Sequence, residues 1–259
     1  MGRGIDIYTV NCSFSIPLNE SWTSLTLRLN AISKPPMTRY NFQSLFYDTK
    51  RQRINTFGGE LSLLTTDEPD LAIWSFRPNG NGSGTWARNG TSNDPPFGQG
   101  ITRNFGAAST NHNGQYYSLG GYTSPHTSPQ TVNTQGFIPT PGIVNYNSTT
   151  SAWSNNTDIN GPSPLGTLEW ATLEAVPLGP NGLLAVIGGD TSDLNTYVPA
   201  QNRRSMTTIS LYDPVTKRWY QQATTGTPPS QRSRFCTVGV RDPTPVKGAS
   251  KTSLGTYEM

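Results

Sequence analysis

The chain has 259 residues, a formal charge of +3 and 14% charged side chains, against roughly 25% in average soluble domains. Its lysines and arginines are scattered apart from Arg51/Arg53 and Arg203-Arg204, which excludes a basic stripe for nucleic acid. No stretch approaches the roughly 18 apolar residues of a membrane helix, Met1-Gly2-Arg3-Gly4 opens no apolar signal segment, and 26 glycines with 21 prolines mark a loop-rich β chain.

Taken from the N-terminus, residues 1–28 read as the back half of a four-stranded unit. Phe14 to Leu18 is its third strand and Trp22 begins the fourth. A whole unit follows over 29–88. Its first strand is Phe42 to Tyr47, its turn Asp48-Thr49-Lys50-Arg51, and its second strand Ile54 to Phe57 closes on Gly58-Gly59. Leu71 to Phe76 and a strand bearing Trp86 complete it across Asn79-Gly80-Asn81-Gly82. The next unit, 89–154, repeats the order: Phe105 to Ser109, a turn at Asn111-His112-Asn113-Gly114, then Tyr116 to Leu119 with Gly120-Gly121. Its third strand carries Tyr146 and its fourth Trp153. In 155–221 the same parts are Trp170 to Val176, the turn Gly179 to Gly182, Leu184 to Ile187 with Gly188-Gly189, and a last hairpin with Tyr212 and Trp219. The remainder, 222–259, offers a first strand from Arg234 to Val240 and the opening of a second at Thr256 to Met259.

The first glycines of the doublets stand 62 and 68 residues apart, whereas Trp86 to Gly120 is 34 residues and Trp153 to Gly188 is 35. A constant segment beside a variable one means a fixed strand core and one tolerant loop, because loop entropy rises slowly with length. Asn-Gly and related pairs supply the positive φ of tight hairpins. Glycine doublets at strand ends let backbones approach where a side chain would collide. Tyr146, Trp153, Tyr212 and Trp219 are large enough to fill the space between sheets, each burying roughly 150–250 Å².

The hydrophobic-Gly-Gly strand end, the aromatic of the third strand and the Trp of the fourth resemble the kelch-repeat β-propellers. The likeness runs most closely to fungal kelch proteins called galactose-oxidase-like for their propeller. The resemblance covers essentially the whole chain and implies an all-β, single-domain propeller of four-stranded antiparallel blades, here three whole and two partial. A four-bladed closure lacks mainly one second strand. The six or seven blades usual for kelch proteins imply instead a fragment of a longer protein, with two uncovered faces and self-association through the open blade edges. The resemblance also implies a secreted or membrane-anchored parent.

No catalytic constellation, phosphate loop, nucleophile elbow or zinc pattern is present, and no cofactor or metal site is assigned. The copper radical oxidases that share this propeller resemble a site of two His and two Tyr with one Tyr joined to a Cys. Here the two histidines, His112 and His126, belong to one unit and could approach each other, while Cys12 and Cys236 lie in the terminal partial units. Cys236, between Phe235 and Val238 in a strand, is expected to be a buried free thiol. Asp67, Glu68, Asp70, Asp190 and Asp193 follow doublets and read as solvated loop acids, and Glu174 lies five residues after Glu169. Arg39, Arg103 and Arg234, with Glu169 at the comparable place, begin first strands; they are expected to ring one channel mouth, as an anion site or an internal ion-pair network. The sequons at Asn81, Asn89, Asn147 and Asn155 are the candidate glycosylation sites, with Asn11 and Asn19 also satisfying the pattern.

The resulting expectation is a non-catalytic module binding protein or glycan, with no nucleic acid and no membrane contact by this segment. Binding would use the loops 60–70, 122–140 and 190–205. The alternatives are a fragment of a secreted copper radical oxidase whose metal site lies outside the chain, and a truncated gene product without function.

Overall fold

The computed structural model describes residues 7–10, 29–62, 69–70, 72–80, 82–89, 100–156, 161, 167–194, 202–241 and 252–258. Three four-stranded antiparallel sheets dominate it. In the first, Ser44–Asp48, Arg53–Phe57, Ile73–Pro78 and Gly84–Asn89 lie in that order. The second takes Ala108–His112, Gln115–Leu119, Ile143–Asn147 and Ala152–Asn156, the third Thr172–Val176, Leu183–Ile187, Thr208–Asp213 and Arg218–Ala223. Each sheet is therefore a simple meander, as hairpin connections between sequential strands require. One 3-10 turn, Pro129–Thr131, is the only helical element among the described residues. No helix there is long and apolar enough to cross a membrane.

Two terminal pairs flank these sheets. Phe235–Arg241 pairs with Thr252–Glu258, so the second strand starts four residues earlier than Thr256. Leu29–Ile32 pairs with Ile7–Val10, which ties the opening of the unit drawn at 29–88 to the N-terminal segment. The strands expected at Phe14 to Leu18 and from Trp22 lie outside the described residues.

First strands begin later than the apolar pattern suggested, for a backbone reason. Phe42, Trp170 and Arg234 all have left-handed φ of 55 to 57°, and Gly106 has φ 70°. A left-handed residue breaks the strand geometry, so pairing starts only after it. These four positions are each 64 residues apart, the one strict period in the chain.

The doublets join sheet to sheet. The N–H of Gly59 donates to the Asn104 carbonyl (2.9 Å), that of Gly121 to Leu168 (2.7 Å) and that of Gly189 to Arg232 (2.9 Å). The acceptors are also 64 residues apart. A β-carbon on Gly58 or Gly188 would stand 2.6 or 2.7 Å from those same carbonyl oxygens, and Gly120 is tighter still against Leu168.

The core lies between sheets. Phe46 and Phe57 of the first sheet pack with Tyr116, Tyr146 and Trp153 of the second; the Phe46 and Tyr116 rings stack with centroids 4.3 Å apart. Ala108, Tyr117 and Leu119 of the second sheet pack with Leu173, Leu184, Val186, Tyr212 and Trp219 of the third. Tyr146 is cross-strand partner to Trp153, Tyr212 to Trp219 and Phe76 to Trp86. First strands of successive sheets lie beside each other, from Ser44–Asp48 through Ala108–His112 and Thr172–Val176 to Phe235–Arg241. At the turn end Asp48, fully buried, accepts from the Arg51 N–H and guanidinium (both 3.0 Å). Arg51 and Lys50 then reach the Ser148 and Thr149 carbonyls of the second sheet at 2.8 and 2.7 Å.

Candidate functional site

The end of the sheets that carries the doublets also carries the unusual chemistry. After each doublet the chain turns back and pairs with the residues just ahead of the first strand. Asn41 lies opposite Glu60, Phe105 opposite Tyr122, and Glu169 opposite Asp190. In a pair that exchanges both backbone hydrogen bonds the two side chains stand on one face about 5.5 Å apart at Cα. The second and third pairs do so, with N···O distances of 2.8 to 2.9 Å. One backbone device thus presents an aromatic pair in one repeat and an acid pair in the next.

The aromatic pair extends into a cluster. Phe105 and Tyr122 meet edge to face at 4.9 Å, Phe105 meets Trp170 at 5.0 Å, and Phe42 touches both Phe105 (5.2 Å) and Trp170 (5.5 Å). The Arg234 guanidinium lies over the Trp170 ring, 4.5 Å from its centroid. Backbone bonds run through the same residues, from the Arg234 N–H to the Trp170 carbonyl (3.0 Å) and from the Trp170 N–H to the Gly106 carbonyl (2.7 Å). Phe42 is 67% exposed, Phe137 stands 43% exposed against Tyr122, and Arg234 is exposed. The result is an aromatic surface with a cation laid on it.

The four charged residues expected to ring a channel mouth do not form one ring. By the 64-residue period Arg39 corresponds to Arg103, whereas Glu169 corresponds to Phe105 and Arg234 to Gly106. Arg39 is exposed and borders a cavity of about 320 Å³ with Tyr40, Met37 and Gln43. Arg103 is fully buried. Its Nε donates to the Asp70 carbonyl (2.8 Å), Nη2 to Asp70 Oδ1 (3.2 Å) and to the Ala72 carbonyl, and its plane covers the Tyr40 ring at 4.4 Å. Burial lowers the Arg103 pKa. Burial also pushes the Tyr40 phenol up to about 12. Tyr40 accepts from the Asp70 N–H at 2.6 Å, so Asp70 is a cross-link and not a solvated loop acid.

Glu169 and Asp190 are also buried, at 0 and 1% exposure. Neither Glu169 oxygen has a partner within hydrogen-bond distance, nor does Asp190 Oδ1, which lies 3.6 Å from Arg203 Nε as an ion pair. Burial, and secondly the Asp190 charge, raise Glu169 to about 8; the nearby Thr167 and Ser192 hydroxyls oppose the rise only in part. Glu169 is therefore protonated at neutral pH.

Sequence reasoning missed the strained positions and the paired backs of the doublets, since neither leaves a residue-type signature. The histidines lie at opposite ends of the second sheet. His112 closes its first strand and its Nε2 meets the Asn181 carbonyl at 2.8 Å, while the His126 carbonyl accepts from Leu61 beyond the doublets. Cys236 is exposed and free, because strand alternation sends Phe235 inward and the next residue out; Cys12 lies outside the described residues. Asn89 and Asn147 end strands, Asn155 is exposed, and Asn81, Asp67 and Glu68 lie outside the described residues. Asn147 Oδ1 accepts from the Thr149 N–H at 2.9 Å, which closes its turn. Among the described residues no group of three or more His, Cys, Asp and Glu side chains is placed to hold a metal ion.

No protein-family model and no curated protein matches the chain. Among solved structures, one titled "Structure of YjhT" is similar with a TM-score of 0.45 and 15% identity, over 73% of this chain and 52% of that one. The chain thus spans about half the length of that protein.

Proposed function

We propose that the chain is a kelch-type β-propeller segment that serves as a non-catalytic interaction module, binding a protein or glycan at the doublet end of its sheets. Side-by-side first strands, doublets that staple each sheet to the next and a 64-residue backbone period support the propeller reading. The observation that carries the binding reading is the strain at Phe42, Trp170 and Arg234. A left-handed conformation costs a non-glycine residue roughly 1–2 kcal/mol, and Gly106 shows that glycine meets the same geometry. Three bulky side chains held at that cost, in one partly exposed aromatic and cationic cluster, point to use of the side chains themselves. The loops 122–140 and 190–205 border the two paired backs and supply further contact area.

The oxidase reading draws no support from His112 and His126, which stand at opposite ends of one sheet. Screening the full chain on glycan and peptide arrays, followed by titration of the hits with Phe42→Gly and Arg234→Ala, tests the module reading. Affinity is expected to fall at least about tenfold in each variant with thermal stability unchanged. Binding that survives both substitutions, or no binding on either array, would remove the reading.

A further inference from the structure

The contact between successive sheets follows a fixed rule that leaves two matching positions uncovered. Along each first strand, alternate side chains face the following sheet and the preceding one. Phe46 faces forward onto Tyr116. Ser109 faces back, its Oγ donating to Ser44 Oγ at 3.1 Å. Leu173 likewise faces back, in one buried cluster with Ala108. Both backward contacts join residues 65 apart: 44 with 109, and 108 with 173. One step further along each chain end, position 236 takes the forward role and position 45 the backward role. Cys236 is exposed, Leu45 is 61% exposed, and Tyr47 beside it is 44% exposed. A small residue against leucine is the same pairing as Ala108 with Leu173, which are 2 and 3% exposed. The backbone ladder ends in the same way. It links residue 234 to 170 and 170 to 106, while the Phe42 N–H and the Arg234 carbonyl have no partner among the described residues.

We propose that the Phe42, Leu45 and Tyr47 face of the first sheet docks the Phe235–Arg241 strand of a second copy of this chain, placing Leu45 against Cys236 and Phe42 N–H against the Arg234 carbonyl. The contact is head to tail, uses different patches on the two copies, and closes when two such contacts are made by one pair. It extends the internal sheet-to-sheet interface across two chains, and it does not depend on the ligand-binding reading.

The test places a Leu45→Cys thiol in a Cys12→Ser background and oxidises the full chain with copper-phenanthroline. Covalent species at multiples of 28.2 kDa are expected on a non-reducing gel, and they disappear when Cys236→Ser is added. Independently, sedimentation of the unmodified chain is expected to show self-association that Leu45→Glu weakens at least about tenfold. Leu45 is exposed within one copy, so that substitution leaves the fold intact, which circular dichroism checks. A monomer at all concentrations, association indifferent to Leu45→Glu, or cross-linking that persists without Cys236 overturns the proposal. None of these readouts involves a ligand, so failure of the docking contact is distinguishable from failure of the binding module.

Discussion

Arg103 and Glu169 are both fully buried charge-bearing residues at the doublet end of neighbouring repeats, and the fold treats them in opposite ways. Around Arg103 every nitrogen meets an oxygen, the weakest contact being Nη1 to the Gly58 carbonyl at 3.5 Å. Around Glu169 neither oxygen has a donor within hydrogen-bond distance. The difference follows from proton chemistry. A guanidinium cannot discard its charge, so a chain that buries one must build acceptors around it. A carboxyl can take up a proton and enter the interior neutral, which removes most of the cost and leaves little pressure to supply partners. Arg103 consequently became a cross-link between sheets, whereas Glu169 became a group whose state depends on the solution.

Removing the satisfied partner should do the most damage. Arg103→Leu strands Asp70 and the Gly58 and Ala72 carbonyls, and deleting one member of a buried pair costs roughly 3–5 kcal/mol. Asp70 retains 27% exposure, so the lower figure, about 3 kcal/mol by urea unfolding, is expected. A loss under about 1 kcal/mol would mean that the buried cation is not a cross-link.

A second substitution probes the backbone that holds the acid. Gly120 has φ 67° and lies against the carbonyl of Leu168, the residue before Glu169. Gly120→Ala adds a methyl where there is no room and displaces that carbonyl, for a cost of about 2 kcal/mol or more. Gly136→Ala, with φ 73° and open space around it, bears only the conformational penalty of about 1 kcal/mol. Equal losses in the two variants would show that the doublet is not a close-contact device.

Glu169 makes stability depend on pH. It holds its proton to about 8 when folded, from an ordinary value of 4.5. Between those values the folded state binds more protons than the unfolded state, so stability falls as pH rises through the window and levels off above it. The steepest contribution is about 1.4 kcal/mol per pH unit. Glu169→Gln should flatten stability between about pH 5 and 8, measured by urea unfolding at several pH values. An unchanged pH profile in that variant would place the titration elsewhere.

The same contrast between residue type and backbone state governs what the sequence could carry. Meander order, hairpin turns, doublet positions and the Tyr146–Trp153 and Tyr212–Trp219 pairs were legible because each rests on residue type at fixed spacing. The left-handed residues were not legible, since Phe42, Trp170 and Arg234 share a backbone state but no chemistry. Without that 64-residue register, Arg39, Arg103, Glu169 and Arg234 looked equivalent although they belong to three different positions of the repeat. Burial misled at Cys236 for a related reason: its neighbours in the chain are apolar, but exposure depends on whether a further sheet covers the strand.

The smallest expected effect separates fold from use most sharply. Phe42 holds a left-handed backbone with 67% of its surface exposed, so its packing return is limited to two edge contacts with Phe105 and Trp170. Aromatic pairs contribute about 0.5–1.5 kcal/mol each beyond area when well buried, and less at this exposure. Relief of strain on Phe42→Gly offsets most of that loss, though glycine also adds unfolded-state entropy. The net change is expected to lie within about 1 kcal/mol of zero by urea unfolding. A loss above about 2 kcal/mol would identify Phe42 as a packing residue, and the strained positions would then belong to the fold, as Arg103 does, with no claim on a ligand.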